Sequence, residues 1–78
     1  MWNHRILAHD INGEIEFRIH EVYYDKNGTP NGYTMKDDLV YGDSLKSITW
    51  TLNKMLECCK KPILCAGDKF PQEYNVHK

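Results

Sequence analysis

WNHRILAHDINGEIEFRIHEVYY, residues 2–24, decides the architecture of this chain. At its centre Asn12-Gly13 favours a two-residue type I′ turn, because both positions need a positive φ that Asn and Gly tolerate. The turn separates two strand-like runs, roughly Trp2–Ile11 and Glu14–Tyr24. A loop of two residues fixes the register, setting Ile11 opposite Glu14, Ala8 opposite Phe17 and Ile6 opposite Ile19. One face then carries Trp2, Ile6, Ala8, Ile15, Phe17, Ile19 and Tyr23, and is expected to be the core face. The other carries Arg5, Leu7, His9, Glu16, Arg18, His20 and Val22, and is expected to be solvated. This alternation predicts an antiparallel sheet with one wet side.

Working outward, Asp25-Lys26-Asn27-Gly28 reads as a second turn, type I followed by a left-handed glycine. The next strand, near Thr29–Met35, contains Pro30 and Gly32. Proline lacks a ladder donor, which predicts an edge strand or a strand with an irregular start. Lys36-Asp37-Asp38 reads as a loop and Leu39–Tyr41 as a short extended piece. Asp43 or Ser44 caps a helix over Ser44–Lys60. The helix stops at Lys60, Lys61 and Pro62, the lysines suiting the negative end of its dipole. Pro62–Ala66 is available as a short extra strand. The expected fold is α+β: an antiparallel three-stranded meander with one helix packed across its apolar face. Residues 1–66 form the domain and 67–78 a flexible, polar tail.

In the helix, Leu45, Ile48, Leu52, Met55, Leu56 and Cys59 make one stripe expected to face the sheet. Trp50 falls about 140° round from Leu45 at ~100° per residue. Something other than the sheet must cover it: the returning tail through Ile63, Leu64 or Phe70, a second copy, or a different protein. Trp is enriched at interfaces. Lys46 and Lys54 lie one turn to either side of it and are placed to stack on the ring. Leu7 and Val22, on the expected wet face, offer a second partner contact.

The chain has 78 residues, enough for one domain, with 10 Lys and Arg against 11 Asp and Glu and a net charge of −1. That balance argues against a non-specific nucleic-acid binder, which is normally basic. Arg5, Arg18, His9 and His20 nevertheless form a small positive patch suited to a phosphate or an acidic partner. MWNHRILAHD shows no leader pattern, and no window reaches the ~20 apolar residues of a membrane span. Three cysteines, an odd number, do not suggest a disulfide framework, so the cytoplasm is the expected compartment.

Metal is not expected. His4, opposite Glu21, shares no face with His9 and His20, and Cys58, Cys59 and Cys65 lack the CxxC spacing that zinc sites use. Cys59 is expected buried as a small hydrophobe and Cys58 more exposed. His77 lies in the tail. No nucleophile elbow, phosphate loop, HExxH or cleft of paired carboxylates is present, so neither catalysis nor a cofactor is expected.

The strings HEVYYD (His20–Asp25), G-x-P-x-G-Y-T (Gly28–Thr34), GDSL (Gly42–Leu45) and KPIL (Lys61–Leu64), with the opening Met1-Trp2-Asn3, resemble a group of short uncharacterised bacterial and phage-encoded proteins. That resemblance spans residues 1–64 and implies no activity. Gly42-Asp43-Ser44-Leu45 after a meander also resembles the N-terminal domain of HicB-type antitoxins, which implies architecture only. The expected function is a non-catalytic protein-interaction or accessory module, acting as a homodimer or with another protein. The alternative is a small regulatory binder of nucleic acid or anions through Arg5, Arg18, His20 and His9.

Overall fold

A computed structural model describes residues 1–37, 40 and 42–75. The expected extended piece at 39–41, Asp38 and His77 fall on or among residues outside that set. Strand β1 (Trp2–Ile11) and strand β2 (Glu14–Tyr24) form the hairpin, paired Trp2 to Tyr23 through Ile11 to Glu14. Asn12 and Gly13 take φ of 55° and 90°, as a type I′ turn needs, and Asp10 Oδ1 accepts from Gly13 N–H at 2.8 Å. At the second turn Gly28 takes φ 81°, and Asp25 Oδ1 accepts from the N–H groups of Asn27 and Thr29. Strand β3 (Pro30–Tyr33) pairs with β2 at the sheet edge, through an irregularity at Tyr23/Tyr24.

Helix α1 (Leu45–Glu57) is capped by Ser44, whose Oγ accepts from Ser47 N–H at 3.1 Å. A 3-10 turn, Cys58–Lys60, continues it. Strand β4 (Leu64–Cys65) then lies beside β1 and parallel to it. The sheet order is β3-β2-β1-β4. The fold is α+β, but the sheet is mixed and four-stranded rather than a three-stranded antiparallel meander. The correction follows from the short PILCA run, which finds its ladder partners on the free edge of β1.

The two faces of the hairpin are filled differently from the alternation argument: on the expected core face Ala8 is buried and Ile6 and Ile19 half-buried, but the tightest packing lies on the other side. Leu7 and Val22, expected to be wet, are 0% exposed, and with Leu64 they form the core. Tyr24, Tyr33, Ala66 and Phe70 pack around them. Trp2, Ile15, Phe17 and Tyr23, expected to be core, are exposed. The reason lies downstream. The segment from Gly67, read as a frayed tail, returns over the Leu7/Val22 face. A 3-10 turn at Gly67–Lys69 leads to Phe70, which packs on Tyr33 at 4.7 Å between ring centres. Glu73 bridges to Leu64, and the Cys65 and Tyr74 N–H groups donate to the Gln72 and Ile63 carbonyls. Tyr74 ends edge-on against Phe17 at 5.8 Å.

Candidate functional site

Helix α1 meets the sheet through a narrow seam. Met55 and Cys58 are its buried residues, with Ser47, Ile48 and Thr51 half-buried alongside. At ~100° per residue that seam centres about 110° away from the Leu45/Leu52/Leu56 line. Those three leucines are 79%, 51% and 64% exposed, and Cys59 is exposed with them. The expected apolar stripe is therefore rotated out: only Ile48 and Met55 of it turn toward the body. The cysteine assignment reverses too. Cys58 is buried, with its thiol pushed up to about 11, chiefly by burial, and Cys59 faces outward.

On the other flank of the seam, a groove of about 340 Å³ runs between the helix and the start of β1. Trp2 and Trp50 line it with His4, Lys54, Glu57 and Lys61. Lys54 Nζ sits 5.5 Å from the centre of the Trp50 ring, as the one-turn spacing predicts, whereas Lys46 lies exposed elsewhere on the helix. Trp2 meets His4 edge-on at 5.3 Å. Ile63, Leu64 and Phe70 do not line the groove. The returning chain packs on the Leu7/Val22 face through Phe70 and against Phe17 through Tyr74 instead, and Trp50 stays exposed.

The expected anion patch is absorbed into the closed face. Arg5 is buried. Its Nη1 donates to Tyr24 Oη at 2.9 Å and its Nη2 to the Pro62 carbonyl at 2.6 Å. His20 is 1% exposed. Its Nδ1 donates to the Thr34 carbonyl at 2.9 Å, and its Nε2 lies 2.9 Å from His9 Nε2. With Nδ1 carrying the proton, His20 Nε2 is the acceptor and His9 Nε2–H the donor. The ring centres are 5.0 Å apart, so the two nitrogens lie nearly on the line joining the rings, the geometry of a head-to-head hydrogen bond. Burial, then His20 and Arg18, push the His9 imidazole below its ordinary range. Arg18 pairs with Glu16 and reaches Asp37 at 4.0 Å. Of the four residues, Arg5 and His20 are spent inside the fold. Leu7 and Val22 likewise have no surface to give a partner, a correction that follows from the cover over their face.

Among the described residues no three His, Cys, Asp or Glu side chains gather as a metal site, and no helix is long and apolar enough to cross a membrane. The accessible area is 6153 Å², whereas a folded 9.2 kDa monomer is expected to show about 4,900 Å². The excess is on the order of 1,200 Å² over the whole chain. Sequence reasoning named Trp50 and Lys54 but missed Trp2, and it placed Leu45, Leu52 and Leu56 against the sheet. Trp2 was detectable as the first residue of a strand that ends beside the helix. No family model, curated protein or solved structure matches the chain.

Proposed function

We propose that this protein is a non-catalytic protein-interaction module that works by self-association. The observation that carries the reading is the line of outward-standing apolar side chains on α1, Leu45, Leu52 and Leu56. Contiguous exposed apolar surface of this kind marks interaction sites in small proteins. The Trp2/Trp50 groove, with Lys54 against the indole, adds a second contact of the aromatic and cationic composition enriched in interfaces.

The nucleic-acid and anion reading draws less support, since Arg5 and His20 are buried on internal partners and leave Arg18 and His9 for a ligand. Sedimentation equilibrium of the wild type, from low-micromolar to submillimolar protein, tests the proposal. A mass that rises to twice the monomer supports it. A monomer mass throughout overturns it.

A further inference from the structure

The leucine line of α1 has the spacing of a helix-pairing seam. Leu45, Ile48, Leu52, Leu56 and Cys59 recur at three- and four-residue steps, and Leu45, Leu52 and Leu56 stand free of the chain's own body. The line runs about 16 Å from Leu45 to Leu56 at ~1.5 Å per residue, long enough for three layers of side chains. A single helix with such a stripe needs another apolar surface to lie on.

The charges along the helix decide between orientations. Its C-terminal end holds Lys54, Lys60 and Lys61, and its N-terminal end is preceded by Asp43. A parallel pair brings Lys60 and Lys61 beside their own copies and aligns two helix dipoles. An antiparallel pair moves the lysines toward Asp43 of the second chain and Lys46 toward its Glu57. The stripe is also self-complementary about its own middle. With a twofold axis at Leu52, Leu52 meets its copy, Ile48 meets Leu56, and Leu45 meets Cys59.

Resting on the proposal that the protein self-associates, we infer that the occupant of this face is a second copy of the chain, docked antiparallel through Leu45, Leu52 and Leu56 around a twofold axis at Leu52. The interface is isologous, so one patch supplies both sides and the assembly closes at two. The Trp2/Trp50 groove lies on the opposite flank of the helix seam and meets the dimer contact only at its rim, where Glu57 and Lys61 stand.

Cysteine pairing reads this register directly. Leu45 and Cys59 of one helix are about 21 Å apart at ~1.5 Å per residue, too far for a disulfide, which needs Cα atoms within about 7 Å. A bond between them must join two chains. Under oxidised glutathione, Leu45→Cys is expected to give a covalent dimer that disappears when Cys59→Ser is added. Leu52→Cys with Cys59→Ser is expected to give one through its own copy. Cys58 is buried and does not compete. Near-ultraviolet circular dichroism confirms that each variant is folded.

At low salt, Lys46→Glu is expected to weaken the dimer about tenfold, through two symmetric contacts. Lys46→Glu with Glu57→Lys is expected to restore it. A covalent Leu45→Cys dimer that persists without Cys59 overturns the antiparallel register in favour of a parallel one. A dimer by mass in which none of these cysteines pairs overturns this surface and leaves self-association standing. A wild type that stays monomeric in sedimentation overturns both.

Discussion

The two sides of the β1–β2 hairpin carry comparable apolar content and meet different fates. On one side Leu7 and Val22 are sealed under Leu64, Tyr24, Tyr33 and Phe70, and most polar groups there find internal partners: Arg5 Nη1 and Nη2 on Tyr24 and Pro62, His20 on Thr34 and His9, the Tyr33 hydroxyl accepting from Gly67 N–H, with Arg5 Nε left buried and unpaired. On the other, Ile15 and Phe17 stand exposed, the helix covers little of the sheet, and its leucines face outward. The lesson is that burial follows the covering segment. Side-chain hydrophobicity makes a face worth covering, but only a segment with the right reach closes it. The closed side carries the stability of the monomer, and the open side is free for a partner.

The largest effect should come from the closed side. Leu7→Ala is expected to cost about 2–5 kcal/mol, as for buried leucines generally. Leu52→Ala should cost the monomer less than about 0.5 kcal/mol. Urea denaturation at a concentration low enough to keep the chain monomeric measures both, and equal costs would erase the contrast. Phe70→Ala should fall between them, near 2 kcal/mol, because a half-buried aromatic gives up part of the ~3–5 kcal/mol of a fully buried one. If the same denaturation shows no loss, the returning segment does not close the face.

A smaller, pH-dependent effect sharpens the account of the polar side. The His9 imidazole is held below its ordinary 6.5, so the folded state takes up its proton later than the unfolded chain does. Stability is then level above about pH 7, declines as pH falls through 6.5, and levels again below the lowered value. Thermal melts of the wild type and His9→Gln between about pH 8 and 5 should show a shallower decline in the variant. Parallel curves would remove His9 from this role. At the start of α1, Ser44→Ala is expected to cost about 1 kcal/mol through the lost cap on Ser47 N–H, read as reduced helicity and melting temperature.

The hairpin was legible from Asn12-Gly13 alone, register included, because a two-residue turn leaves one pairing. Gly28 and Pro30 marked the second turn and the edge strand for the same local reasons. The choice of core face was not legible. Counting apolar residues favoured the Ile15/Phe17 side, whereas burial was decided by residues 64–74, whose mixed composition looks like a tail. Rotation of the helix escaped for a related reason. A stripe of leucines shows which face is apolar, but the buried side of the helix was set by Met55 and Cys58, with Ser47, Ile48 and Thr51 half-buried beside them. Those outward leucines are the part of the site that periodicity found and misassigned.

The central claim is that the open helix face is a self-interface, and light-scattering mass on wild type and Leu52→Lys tests it most directly. A wild-type dimer, with a folded Leu52→Lys monomer of unchanged circular dichroism, is the predicted result. Equal masses for the two folded proteins would contradict it.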